Sequence, residues 1–226
     1  MLLGIVLYAN GKVYLVSVGI ADYPSTKNDL RVSANDAKTI AKVFQATNDA
    51  SVNVLTNEKA TKSTLLNTMQ TSFVDAKAAD AVILYFSGHG APGALACYDG
   101  LLTYQHIFKN MKSCKAARKM IIVDACFSGK MRTTKQESSN YNNQSVMLFL
   151  SSRTTETSLE TDYKNSLFTI FLERGLRGGA DMNKDRHITA REIYNFVHQG
   201  VIKASGNKQH PVMWGKFENN MTIIKW

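Results

Sequence analysis

Short apolar runs alternate along this chain with segments whose apolar residues recur every three or four positions. That alternation constrains the fold more than any other feature. A strand-length run followed by a helix-period segment, repeated, builds a layered α/β domain around a mostly parallel sheet with helices on both faces. Val13 to Gly19, Val52 to Leu55, Ala81 to Phe86, Met120 to Val123 and Val146 to Leu150 read as strands, with Met221 to Ile224 as a final one. Ser33 to Ala46 reads as a helix with Ile40, Val43 and Phe44 inward, and Lys62 to Ala76 as a second carrying Leu65, Leu66, Met69 and Phe73. Tyr104 to Met111, Ser166 to Leu176 and Ala190 to Val197 complete the helical set. Gly129 to Gln144 has almost nothing to bury and reads as an exposed loop. With 226 residues and no repeat or linker, one domain is expected.

Composition narrows the class. Hydrophobic residues make up 44% and charged residues 20%, which excludes disordered and fibrous chains. The net charge of +9 permits anionic partners, but the Lys and Arg residues are scattered and no nucleic-acid motif occurs, so no nucleic-acid role is expected. No run approaches the ~18 apolar residues of a membrane span. Met1 to Tyr8 is almost wholly apolar, and Ala9 and Gly11 are small at the minus-three and minus-one positions of a cleavage site. Residues 1–11 therefore read as the back of a secretory signal, with the domain spanning 12–226. A secreted or periplasmic bacterial protein is expected, and a cytoplasmic one, with these residues as an extra strand, is the alternative. Three cysteines, Cys97, Cys114 and Cys126, argue against a disulfide framework; a Cys97–Cys114 bridge stays open, and at least one thiol is free.

Two strand ends carry chemistry. Ala81 to Phe86 runs into Ser87-Gly88-His89-Gly90, and Met120 to Val123 runs into Asp124-Ala125-Cys126-Phe127-Ser128-Gly129. In parallel sheets, sites form beyond the carboxyl ends of strands, and both residues sit at such ends. Glycine beside each allows a sharp turn and close approach of a substrate backbone. A thiol needs a base or positive neighbour to act as thiolate near neutral pH, and imidazole is the usual one. Singly, a buried cysteine or a surface histidine is the blander explanation; together they point to a Cys–His enzyme.

FSGHG followed by DACFSG resembles the paired His and Cys boxes of the caspase–metacaspase superfamily. LRVSANDAKTIAKVF resembles the metacaspase segment after the first strand. LFLSSRTTETSLE and SLFTIFLERGLRGGADMNKDRHIT resemble the downstream half of bacterial caspase-like peptidases. The cysteine box reads DAC, where animal caspases usually have QAC. The resemblance implies a cysteine endopeptidase in which Cys126 attacks the peptide carbonyl and His89 protonates the leaving amine. It also implies an oxyanion hole made by the backbone N–H groups of Gly90 and Cys126. Asp36, Asp124 and Ser87 match positions that line a pocket for Arg or Lys before the scissile bond. The implied partners are therefore peptides carrying Arg or Lys there, cut by a monomer that needs no cofactor. The polar loop, with Lys130, Arg132 and Lys135, is then a place for self-processing. The same fold with an Asp or Asn preference, or a non-catalytic interaction module, are the alternatives.

Two motifs have local explanations as well. Ser33-Ala34-Asn35-Asp36 also reads as a capping box, in which Asp36 serves only a helix start. Asp124 likewise reads as a strand-end carboxylate held by backbone donors. Asp181, Asn183, Asp185, Thr189 and Glu192 follow the spacing of an EF-hand calcium loop, with Ile188 at the apolar position. Arg186 stands where that loop wants glycine, and Asx turns with a helix cap would use the same residues. Calcium is the one metal this pattern suggests. The chain departs from the pattern of the separate acidic calcium site of eukaryotic metacaspases, because KMRTTKQESS holds no aspartate after the cysteine box.

Overall fold

The computed structural model describes residues 11–47, 49–125, 146–153, 156, 158–161 and 164–225. Its centre is a sheet of six strands among the described residues: β1 (Val13–Gly19), β2 (Ala50–Thr56), β3 (Ala81–Ser87), β7 (Arg118–Asp124), β8 (Met147–Leu150) and β10 (Val212–Trp214). They lie in the order β10-β8-β7-β3-β1-β2. All pairings are parallel except that of β10 with β8. Between them run α1 (Ser33–Gln45), α2 (Lys62–Phe73), α3 (Tyr104–Ser113), α4 (Leu167–Arg174) and α5 (Ala190–Ala204).

Strand alternation divides the core in two. Val16, Val18, Val82, Leu84, Phe86, Ile121 and Val123 face α2 and α3, which return Leu65, Met69, Phe73, Ile107, Phe108 and Met111. Leu15, Ile83, Tyr85, Met120 and Ile122 face the other way, toward Ile40 and Phe44 of α1, Phe168 and Leu172 of α4, and Ile193 and Val197 of α5. Phe44, Phe73 and Phe168 are sealed from water, and burying such a ring is worth roughly 1.5–3 kcal/mol. The same alternation puts Ser87 on the face of Tyr85, and Asp124 on the face of Ile122, so both look toward α1 and α4. In-register pairing then aligns Gly19, Ser87 and Asp124 in one row across the carboxyl ends of β1, β3 and β7.

Gly19 belongs in that row for a steric reason. A Cβ there would lie 2.2 Å from the carbonyl oxygen of Ser33, so its absence lets the first turn of α1 settle onto the strand end. Ser33 is the first helical residue, not the cap, and Val32 precedes it without a side-chain cap bond. The capping reading of Asp36 is thereby corrected: its carboxylate turns inward, away from the helix start.

Short elements escaped the sequence. A three-stranded hairpin sheet, β4 (Gly90–Ala91), β5 (Ala94–Cys97) and β6 (Gly100–Thr103), follows the histidine turn directly. The final strand, β11 (Thr222–Lys225), pairs with β9 (His187–Thr189), not with the main sheet. α2 stops at Phe73, short of Ala76, while α5 runs on to Ala204 through Gly200, where a Cβ would lie 2.3 Å from Phe171. Ser166 caps α4 by accepting the N–H of Thr169, and the helix ends in a wide turn over 175–179. Cys97 and Cys114 are free thiols, which removes the bridge between them. No described helix is long and apolar enough to cross a membrane. The secretory reading of residues 1–11, apart from Gly11, and the loop reading of Gly129 to Gln144 fall outside the described residues.

Candidate active site at the carboxyl ends of the strands

His89 leaves β3 two residues after Ser87, and it is held by two contacts to its ring and one to its backbone. The Nε2 atom lies 2.7 Å from the carbonyl oxygen of Asn28. A carbonyl only accepts, so Nε2 carries the proton and, in the neutral ring, Nδ1 is left as the basic nitrogen. Asn28 is fixed by a turn in which its N–H donates to Ser25. The Tyr23 ring lies against the imidazole with centroids 5.0 Å apart. Tyr23 Oη accepts the backbone N–H of His89 at 2.9 Å and donates to the carbonyl of Ala96 at 3.2 Å. Burial pushes the Tyr23 phenol up to about 12, so the hydroxyl keeps the proton that this chain of bonds requires. Gly90, the expected oxyanion donor, opens β4 opposite Leu95. Cys126 lies outside the described residues.

A second cluster stands beside this turn. Asp36 has no exposed surface and Asp124 is 3% exposed. One oxygen of Asp36 accepts Ser87 Oγ at 2.9 Å; the other accepts Asn165 Nδ2 at 2.9 Å and the N–H of Ser166 at 3.0 Å. Asp124 accepts the hydroxyls of Ser158 and Ser166, and that of Thr169 at 3.0 Å. Tyr85 Oη lies 2.6 Å from Thr169 Oγ1; because Thr169 donates to Asp124, Tyr85 donates to Thr169. Ser166 thus bonds Asp36 through its amide and Asp124 through its hydroxyl. Side-chain hydroxyls, not the backbone donors expected from sequence, hold Asp124.

Neither carboxylate has an ion-pair partner among the described residues. Burial, reinforced by the charge of Asp124, lifts Asp36 to about 7 against the pull of its three donors. Burial lifts Asp124 as well, opposed by its hydroxyls. The two titrate as a pair, and the proton belongs to the pair.

The loop that delivers Ser158 is itself pinned. Gln209, fully buried, donates to the carbonyl of Ser151 at 2.9 Å and accepts the N–H of Leu159 at 3.0 Å. Glu160 reaches across to the Asn28 segment, accepting the N–H of Arg31 at 2.8 Å.

The EF-hand-like residues lie far along the chain from both clusters, between α4 and α5. Asp181 accepts the N–H groups of Asp185 and Arg186, and Asn183 accepts Asp185 N–H while donating to its carboxylate. Glu192 folds back on Thr189 to form a capping box. Arg186 takes the left-handed conformation, φ 64°, where the pattern wants glycine. As placed, the ligand-position oxygens serve the loop's own backbone, and no described group of three or more His, Cys, Asp or Glu side chains is arranged to hold a metal ion.

Of the residues singled out from sequence, His89 lies in the first cluster and Asp36, Ser87 and Asp124 lie together in the second. Sequence reasoning missed Tyr23, the Asn28 carbonyl, Ser158, Asn165, Ser166 and Thr169. Ser166 carried one signal, that of a residue type suited to cap the helix it precedes; nothing local marked its bonds to two distant aspartates.

A mostly parallel sheet thus carries a histidine turn and an acidic pair at the carboxyl ends of its strands. The model of the caspase domain family matches residues 13–221, and the chain belongs to that family. Among solved structures, caspase-1 from Spodoptera frugiperda superimposes with a TM-score of 0.71 at 17% identity, covering 95% of this chain and 90% of that one. Protein GSU0716 from Geobacter sulfurreducens superimposes with a TM-score of 0.68 at 15% identity, covering 92% and 94%. No curated protein sequence matches significantly.

Proposed function

We propose that the chain is a metacaspase-like cysteine endopeptidase that cleaves after Arg or Lys, with Cys126 as nucleophile and His89 as its acid–base partner. The observation that carries the dyad is the register of β3 and β7. Ser87 pairs with Asp124, and His89 and Cys126 each follow two residues later in the chain. The two strands that lead toward His89 and Cys126 in the sequence therefore end side by side, at Ser87 and Asp124. His89 is already held with Nε2 protonated, which leaves Nδ1 to take the thiol proton and later return it to the leaving amine. Gly90 and Cys126 supply the oxyanion donors in this reading, each worth about 3–4 kcal/mol to the transition state. Asp36 and Asp124 supply the preference for a basic residue, since they form a buried anionic pair with neutral donors only. Calcium at the loop of Asp181 and Glu192 stays a separate proposal that the dyad does not need.

One observation favours a second reading, the same peptidase with another preference. Every oxygen of the pair already has a donor and water is excluded, as in a purely structural cluster. Matched fluorogenic peptides with Arg, Lys, Gln or Asp before the scissile bond separate the two. Turnover should be highest on Arg, lower on Lys for want of a planar fork, and absent in Cys126→Ala and His89→Ala proteins that keep their circular dichroism. A preference for the Asp peptide would overturn the basic pocket, and activity surviving in Cys126→Ala would overturn the dyad.

A further inference from the structure

The acidic pair has a property beyond selectivity for positive charge. Among the described residues the donors that converge on it come from β3 (Ser87), the segment before α4 (Ser158, Asn165, and Ser166 twice) and α4 (Thr169), with Ser151 also acting on Asp124, and all are neutral. Among the described residues the titratable neighbour is Tyr85 of β3, itself buried and pushed well above its ordinary range, so it offers a hydroxyl dipole and no charge. Two carboxylates that share Ser166 as common donor, sealed from solvent and without a cationic partner among the described residues, cannot both stay ionised at low cost.

We propose that a basic side chain binding at the Asp36–Asp124 pair displaces one proton from it, so that recognition of Arg or Lys is an exchange of one cation for another. This rests on the reading of the pair as the specificity pocket. The balance is simple: the singly protonated pair and the guanidinium give a doubly ionised pair bound to guanidinium, and the proton passes to solvent. Ser166 is a positioning residue in this exchange. Its amide stabilises ionised Asp36 and its hydroxyl ionised Asp124, so it sets how readily the proton leaves.

Three consequences separate this device from a static anionic pocket. Affinity for an Arg peptide should weaken about tenfold per pH unit below the pair's midpoint and level off above it, since one proton is released per peptide. The lift of Asp36 to about 7 puts that break near neutral pH. A neutral peptide should show no such slope. Removing the Ser166 hydroxyl should move the break to higher pH.

The test is calorimetric titration of full-length Cys126→Ala,His89→Ala protein with an Arg peptide amide, in two buffers of different ionisation enthalpy at pH 6, 7 and 9. The double variant removes both dyad protons. We expect nearly one proton released per peptide at pH 6, a fraction at pH 7 and almost none at pH 9, with Asp36→Asn in this background abolishing the release. Ser166→Ala should raise the pH of half-release, and Thr169→Val, which also removes a donor to Asp124 but spares the cap hydroxyl, should do the same if Ser166→Ala does not fold. Binding without proton release at any pH would overturn the exchange while leaving the basic pocket standing. Failure of the Arg peptide to bind better than its Gln counterpart at pH 9 would overturn the pocket itself.

Discussion

Two acidic clusters in this molecule invite opposite readings from sequence and from structure. The loop from Asp181 to Glu192 packs its acids into one short motif, and each ligand-position oxygen noted above meets a donor of that same loop. Asp36 and Asp124 lie far apart in the chain, yet the start of α1 and the end of β7 bring them to one buried spot. The local cluster lies at least partly open to solvent and bonds its own loop; the assembled one is dry, and burial makes it hold a proton more tightly than free carboxyls do. Burial and topology, not local density of acids, make a carboxylate unusual.

The most severe way to break this contrast is to neutralise each cluster in turn. Asp36→Asn or Asp124→Asn should lower kcat/KM for Arg peptides by roughly 100-fold or more, because an arginine left without its buried partner costs about 3–5 kcal/mol. The loss on a matched Gln peptide should be far smaller. Asp181→Asn should leave both values unchanged. Equal losses on all peptides would make the pair structural and erase the distinction.

How far the site was legible follows the same division. Strand ends marked by Gly88, His89 and Asp124 could be read because a buried strand and a glycine turn are local patterns. The order of β1, β3 and β7 and their shared register could not, yet these align Gly19, Ser87 and Asp124. Asp36 was ambiguous for a physical reason. An acid in the first turn of a helix satisfies the capping pattern wherever its side chain points, and only the close seat of α1 on Gly19 turns it inward. The hairpin of β4 to β6 was invisible because its strands are too short to show a period.

A second prediction concerns stability. A carboxyl whose folded value lies above its unfolded one binds its proton more tightly when folded. Its contribution is greatest below the unfolded value near 4 and is lost as pH rises toward about 7. Above pH 7 the wild type therefore carries the unfavourable ionised pair. Asp36→Asn should stabilise the protein at pH 8 by about 1–2 kcal/mol, after allowing for imperfect hydrogen bonding by the amide. It should give no gain at pH 5. Thermal unfolding at both pH values checks this, and destabilisation at pH 8 would contradict the assignment of strain to the pair.

A third prediction tests assembly at the histidine. Tyr23→Phe keeps the ring against His89 but removes the hydroxyl that joins His89 N–H to the Ala96 carbonyl. The turn bearing His89 and Gly90 should loosen, and kcat should fall about tenfold with KM little changed, as for an interaction felt mainly in the transition state. A rise in KM alone would place Tyr23 in substrate binding.

The smallest effect belongs to the loop. Thr189 accepts the N–H of Glu192, and Glu192 accepts the N–H and hydroxyl of Thr189, so the pair closes the start of α5. Thr189→Ala removes a cap worth about 1 kcal/mol and should lower Tm by roughly 2–4 °C without altering kcat/KM. The same bonds set what calcium would have to overcome. To ligate an ion with both oxygens, Glu192 must turn away from Thr189, whereas Asp181 keeps a lone pair on each oxygen beside the backbone N–H groups that steady the left-handed Arg186. Millimolar calcium should therefore move Tm by less than the loss of the cap does, because binding gains are offset by broken local bonds. A calcium-induced rise larger than the Thr189→Ala loss, abolished by Glu192→Gln, would show that the loop reorganises into a metal site, and the contrast between the two acidic clusters would fall.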